Sequence, residues 1–468
     1  MDDGNRSPFD PPVEDMVAIG RSVVDFVTSF IDDRYRVASS DYEGAYELAR
    51  ELRVSPPRAG RDLADVLETI GTAAGKGFDP AAPGFLAYIP GGGLYSAAIA
   101  DFIACSINRY TGITAPSPAI AQLESVVIRW ICDLFDYPPE SRGILTPGGS
   151  MANLSAIITA RSHLLGEDFL DGVLYASDAA HHSIAKSAKI AGLPSSAVSV
   201  VPTDKNVRMD VAELRRLVDE DRSAGRRPFM VVGSAGTVNV GAVDPLDEIA
   251  VVAAEQDLWF HVDGAYGGFF QLTERGRQAL RGITSADSIT LDPHKTLFLP
   301  YGTGSLIVRD GTALKDAHQL HAHYLPDSSE DPELFDHADY SPELTRDFRG
   351  LRVWLPLQVH GVDAFVSALD EKLDLARLVY EELVKVPQLE VPWQPQLSLV
   401  AFRPRGGTNA DVEALLDRIN ASGRVWLSPA AVEDRDYLRV CIVSHRTRRP
   451  RIEECIQIIS DAAAELPR

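Results

Sequence analysis

The chain is poor in cysteine: Cys105, Cys132, Cys441 and Cys455 are the only four, and no CxxC pair occurs. That scarcity excludes a disulfide framework and thiolate zinc sites of the usual spacing, and suits reduced thiols in a cytosolic protein. Positive charge is short too. Lysine and arginine number 45 against 67 aspartates and glutamates, a formal charge of -22. Such a surface repels phosphate backbones and anionic lipid, so neither nucleic acid nor a membrane is an expected partner. No apolar run approaches the ~18 residues of a membrane span. The opening MDDGNRSPFD lacks the basic-then-apolar order of a secretory leader, and no repeat or low-complexity tract occurs. The expected location is cytoplasmic.

What is present falls into three parts. In residues 1–83, VEDMVAIGRSVVDFVTSFI has apolar positions at three- and four-residue steps, which predicts helices. This segment is too thin for a core of its own, so its apolar face should pack on the rest of the protein or on a second subunit. Over residues 84–376, short apolar runs alternate with helical stretches: GILTP then MANLSAIITARSHLL, GVLYAS then SIAKSAKIAGL, FMVVGS then PLDEIAVVAAEQ, followed by LWFHVD, SITLD and GSLIVR. The fold class is therefore α/β, a mainly parallel sheet with helices on both faces. Residues 377–468 hold LSLVAFRP, DVEALLDRINASG, RVWLSP, YLRVCIVS and RIEECIQIISDAAAEL. They read as strand, helix, two strands and helix, a small C-terminal α+β domain. The acidic, Pro- and Ser-containing stretch 323–350 reads as a long loop of the kind that is often functional.

Four motifs could carry chemistry. Lys295 follows a predicted strand and precedes Leu297, Phe298 and Leu299; an amine in apolar surroundings loses proton affinity and becomes the nucleophile a Schiff base needs. A lysine reaching back to solvent is the bland alternative. Asp263 in LWFHVDGAYGG stands at a strand's C-terminal edge, where ligands of open α/β sheets bind. There it could hold the proton of a pyridinium nitrogen or merely cap a turn. Gly148, Gly149 and Ser150 in LTPGGSMANL stand where a strand passes into a helix, so free amides and the helix dipole could hold a phosphate. The motif is neither a Walker A loop nor GxGxxG. In SDAAHHS, His181 or His182 emerges at a further strand end.

In this order, and joined by FLAYIP, SPAIAQLE, GTVNVGAVD, DPHKT and ELTRDFRGLRVW, these motifs resemble the group II pyridoxal-phosphate-dependent amino-acid decarboxylases, of the aromatic-L-amino-acid decarboxylase type. The resemblance runs from residue 84 to 354. It implies a fold-type I, transferase-like architecture with a seven-stranded sheet, a homodimer with sites at the subunit interface, pyridoxal 5'-phosphate as cofactor and an L-amino acid as substrate. Carried over by residue, Lys295 would form the Schiff base, Asp263 would pair with the ring nitrogen, Ala265 would lie against the ring and His181 would stack on it. Gly148, Gly149 and Ser150 would bind the phosphate with Asp292 and His294, and Thr237 would stand near the cofactor. The implied reaction releases carbon dioxide through a quinonoid intermediate, which then takes a proton to give an amine.

The chain also departs from that family. Counting back from ELTRDFRGLRVW puts His337 where a loop tyrosine would deliver the proton; Tyr340 and Tyr324 stand nearby. Family members without the tyrosine often divert the intermediate to oxygen, giving aldehyde, ammonia and peroxide, so oxidative deamination is the alternative reaction that the resemblance implies. Around the substrate pocket (Tyr88, Ile89, Gly91, Gly112), Ile89 replaces a phenylalanine, Gly91 begins a run of three glycines, and Gly112 replaces another aromatic. Lost aromatic walls predict room for a bulkier or modified side chain. β-Elimination on the same scaffold is a lesser alternative. A metal site from His321, His323 and His181 has no accompanying ligand motif, and no metal is expected.

Overall fold

The computed structural model describes residue 7, residues 9–319 and residues 334–466. The chain begins with helix α1 (Val13–Asp33), in which no residue is buried. A two-stranded ribbon (Ser40–Asp41 with Gly77–Phe78) and two short helices, Ala45–Glu51 and Leu63–Ala74, complete this segment. Helix α2 (Pro118–Leu134) leads into the large domain.

Seven strands build the central sheet: β1 (Arg142–Thr146), β2 (Gly172–Ser177), β3 (Val198–Val201), β4 (Arg227–Ser234), β5 (Trp259–Gly264), β6 (Ser288–Leu291) and β7 (Gly304–Val308). Their spatial order is β1-β7-β6-β5-β4-β2-β3, and only β7 runs antiparallel to its neighbours. Helix α3 (Gly149–Leu165) follows β1, and helix α4 (Ser183–Ile190) follows β2.

The side-chain period of 2 divides the sheet between two cores. Leu145, Val173, Val231, Phe260, Val262 and Ile289 face one core. Ile144, Leu174, Met230, Val232 and Trp259 face the other, against Ala152, Ala156 and Ala160 of α3. These small residues let the helix approach closely. Each fully buried Val, Leu or Ile contributes roughly 1.5–3 kcal/mol, and most of these side chains are fully buried. On β5 the alternation also sends His261 and Asp263 to one face, the face that carries α3.

Helix α5 (Val362–Leu383) joins the large domain to the small one. Its first half, through Leu373, packs in the large-domain core, and from Leu375 onward it packs in a third core. That core also covers an antiparallel sheet of Leu389–Glu390, Leu399–Pro404, Arg435–Cys441 and Ser428–Val432, in that spatial order. One expected strand is displaced: RVWLSP enters the sheet only at Ser428. Its Trp426 instead exchanges backbone hydrogen bonds with Gly84 and Leu86, tying the small domain to the start of the large one.

Candidate active site

The C-terminal ends of β1, β2, β4, β5 and β6 open on one cavity of about 500 Å³. Gly148, Gly149, Ser150, His181, Thr237, Asp263, Ala265, Asp292, His294 and Lys295 all line it, together with Ile89. Residues widely spaced in the chain meet there because nearly all stand within four positions of the C-terminal end of a strand of the sheet.

The turn after β1 is tight for physical reasons. A Cβ on Gly149 would lie 3.0 Å from Asp292 Oδ2 and 3.2 Å from Ala265 Cβ. The first turn of α3 carries no acidic residue, so no side chain of its own first turn offsets the positive end of this 17-residue helix, which faces the cavity beside the Asp292 carboxylate. Opposite it, Lys295 Nζ lies 2.8 Å from Asp292 Oδ2. Asp292 is buried, and its Oδ1 has no hydrogen-bond partner among the described residues. Asp263 Oδ1 accepts from the Ala265 amide at 3.1 Å, and Oδ2 accepts from Asn153 Nδ2 at 3.0 Å. His294 bonds through Nδ1 to the Thr303 carbonyl at 2.7 Å. Burial lowers the pKa of both His181 and His294, outweighing the pull of Asp263 on the first and Asp292 on the second. Both imidazoles are therefore biased toward the neutral form. An amine, two carboxylates and a helix N-terminus around one opening can capture a carbonyl compound that carries an anionic group.

Residues 47–405 match the family model for the pyridoxal-dependent decarboxylase conserved domain. The chain belongs to that family. An aromatic-L-amino-acid decarboxylase of Bacillus atrophaeus is 33% identical over 95% of this chain and 94% of its own length. A 4-hydroxyphenylacetaldehyde synthase of Rhodiola rosea is 28% identical over 95% of this chain and 94% of its own. The structure of Catharanthus roseus tryptophan decarboxylase in complex with L-tryptophan superimposes with a TM-score of 0.90 at 25% identity, covering 98% of this chain and 100% of that one. The expected fold-type I α/β architecture and the pyridoxal 5'-phosphate cofactor follow from this membership.

Within this decarboxylase the structure corrects several expectations. Lys295 is not walled in by Leu297, Phe298 and Leu299: its amine meets the Asp292 carboxylate, because the short helix Pro293–Thr296 turns it back toward the end of β6. The glycines do not enlarge the pocket of this chain. A Cβ on Gly91 would meet the His294 carbonyl at 3.1 Å, and one on Gly112 would lie 2.4 Å from the Leu344 carbonyl. Both positions are small because backbone fills the space. Tyr88 also lies outside the cavity lining; it is half-exposed and packs on Phe78 and Phe85.

His337 and Tyr340 lie outside the cavity lining as well. His337 is fully buried, its Nε2 3.4 Å from the Ala121 carbonyl and its ring edge-on to Phe335. Burial holds its pKa below the ordinary imidazole value in spite of Glu124 nearby. Tyr340 packs into the core on the α3 side of the sheet. Asp336 explains this placement, since its carboxylate accepts from the Thr114 amide at 2.6 Å and the Ala338 amide donates to the Gly112 carbonyl at 2.9 Å. Tyr324, His321 and His323 lie outside the described residues.

Polar residues in or behind the cavity wall escaped the sequence reading: Asn153, Ser183, Ser234 and Tyr266 line it, and His261 lies behind. Asn153 is a polar position on the Ala-rich face of α3, and His261 precedes Asp263 by two on the same strand face. Either periodicity could have flagged them.

Proposed function

We propose that this enzyme decarboxylates an L-amino acid with an aromatic or bulky side chain, releasing carbon dioxide and the amine. The observation that carries the reading is the convergence of the Lys295 amine, the Asp263 carboxylate and the N-terminus of α3 on one cavity. The tryptophan complex of the Catharanthus roseus enzyme supports an aromatic substrate.

The residues present fit pyridoxal 5'-phosphate. Lys295 offers the amine, Gly148, Gly149 and Ser150 form an anion-binding turn, and the unpartnered Oδ1 of buried Asp292 awaits a hydrogen-bond donor. When bound, the cofactor supplies an aldehyde for amine capture and a ring that takes up the electron pair of the breaking bond. Asp263, with amide donors fixing both oxygens, would accept the hydrogen of the ring nitrogen. Thr237 is fixed in its turn by the Ala242 amide, which donates to its hydroxyl at 3.1 Å. Ala265 and His181, both on the cavity lining, would flank the ring.

A second reading, oxidative deamination, has its own support. Tyr266 is the only phenol lining the cavity among the described residues, and its hydroxyl is engaged by Ser398 Oγ and amide, each at 2.9 Å. Among the described residues, the cavity lining thus offers no unengaged phenol to protonate the product carbon. Oxygen would then accept two electrons, and amino acid, oxygen and water would yield aldehyde, carbon dioxide, ammonia and peroxide.

The dimer is part of the proposal. Met16, Val17, Ile19 and Val24 of α1 are each at least 44% exposed within one chain, and a second copy would cover them. Four cysteines outside any disulfide support a cytoplasmic location. No helix among the described residues is long and apolar enough to cross a membrane. The test is a screen of amino acids with cofactor-loaded protein, following carbon dioxide and dissolved oxygen together. Carbon dioxide without oxygen uptake supports the amine, matched uptake supports the aldehyde, and no carbon dioxide from any amino acid overturns both.

A further inference from the structure

Behind the cavity, the buried interface between α3 and the sheet contains a continuous line of polar side chains that the reaction itself does not use. We propose that a hydrogen-bond relay of fixed polarity, centred on His261 and Asn153, keeps Asp263 an acceptor and His181 a neutral imidazole with its hydrogen on Nε2. The inference rests on the reading that Asp263 and His181 face the cofactor.

The polarity can be worked out from the His181 end. The Ser183 amide donates to His181 Nδ1 at 3.2 Å, so that nitrogen carries a lone pair and no hydrogen. Ser183 Oγ lies 2.7 Å from the same nitrogen and must donate there. Its oxygen then accepts from Asn153 Nδ2 at 2.9 Å, while the other hydrogen of that amide goes to Asp263 Oδ2 at 3.0 Å. A flipped amide would set its oxygen against the carboxylate and leave Ser183 without a donor, so the orientation is fixed from two sides.

Asn153 Oδ1 therefore faces His261 Nε2, 3.1 Å away, and that nitrogen bears the hydrogen. His261 is fully buried, and burial pushes its pKa down to about 4, so the ring is neutral and Nδ1 is an acceptor. Ser288 Oγ, 2.8 Å from Nδ1, supplies the donor. The same oxygen accepts from the indole of Trp259 at 2.8 Å, and an indole can only donate. Thr290 Oγ1 also lies 3.4 Å from His261 Nε2 and, facing a hydrogen-bearing nitrogen, can only accept there, so this contact agrees with the assignment.

The relay makes His261 and Asn153 positioning residues. Asn153 gives Asp263 a fixed donor that holds Oδ2 in place as an acceptor. Through Ser183 the same amide leaves Nε2 as the hydrogen-bearing nitrogen of His181.

Neutron diffraction from crystals of the unaltered holoenzyme reads these hydrogens without any substitution. The expected result is hydrogen on Nε2 and none on Nδ1 at both His181 and His261; the opposite tautomer or an imidazolium at either overturns the relay. Cofactor affinity, measured by fluorescence titration, is the second readout. Asn153→Leu removes one hydrogen bond to a charged group and should weaken binding by about tenfold or more; an unchanged constant overturns the relay. Asp263→Asn separates the two readings. If it changes neither affinity nor the absorbance of the bound cofactor, the assignment of Asp263 itself has failed. If it weakens binding while Asn153→Leu does not, only the relay has failed.

Discussion

Two regions of the molecule contain the residue types of an active site, and only one is built as one. At the strand ends, Lys295, Asp292 and Asp263 surround open space. Around His337, Glu124 and Arg346 form an ion pair that is fully buried, and His337 is enclosed beside it. Glu124 also accepts from the Gly350 amide at 3.1 Å, and Arg346 donates to the Leu145 carbonyl at 2.6 Å. Both clusters hang on the end of β1, yet one leaves a volume for a ligand and the other fills it with protein. Residue type nominates a site; the vacancy beside it decides.

The largest effect expected from breaking this contrast is at Lys295. Lys295→Ala should reduce turnover by roughly ten-thousandfold or more and abolish the Schiff-base absorbance, with melting temperature nearly unchanged. Loss of activity accompanied by loss of folding would remove the distinction between the regions. Arg346→Met should act the other way. It leaves Glu124 buried without its partner, which costs about 3–5 kcal/mol, read by denaturant unfolding.

Acid should sharpen the same point. Burial raises the pKa of Glu124, but the charges of Arg346 and His337 and the hydrogen bonds from Arg346 and the Gly350 amide bring it below the ordinary value of 4.5. A depressed folded value means that the carboxylate adds stability above its unfolded value, and that this is lost as pH falls through the folded one. Glu124→Gln should therefore flatten the fall of unfolding free energy below pH 4.5. An unchanged slope would show that other carboxylates cause it.

Gly112→Ala should cost about 1–3 kcal/mol, as overpacking does, and leave the ranking of amino-acid substrates unchanged. A changed ranking would restore Gly112 to the pocket. The smallest effect is expected from His337→Asn: the ratio of amine to aldehyde should not move. A shifted ratio would put that side chain at the reacting centre.

The strands were legible because apolar, β-branched runs end at Gly, Ser or Asp. Edge strand β3 was not, since its serine and exposed positions weaken the pattern, and neither was the reversed direction of β7. Site residues within four positions of a strand's C-terminal end were legible because the sheet positions them. His337, Tyr340 and Gly112 depend instead on how one loop docks on another, through Asp336 and the Gly112 carbonyl, and periodicity says nothing of that. The relay lies between these cases: each member sits in a visible motif, but their contact depends on how closely α3 approaches the sheet.

Helix α5 has one more implication. It passes from one core to another between Leu373 and Leu375 without a break in its backbone hydrogen bonding. A recombination event at that border would divide a helix in mid-turn and bare an apolar stripe on each fragment. Exchange of the C-terminal part of the chain at that border should therefore destabilise both fragments, whereas substitutions and loop changes leave the shared helix whole.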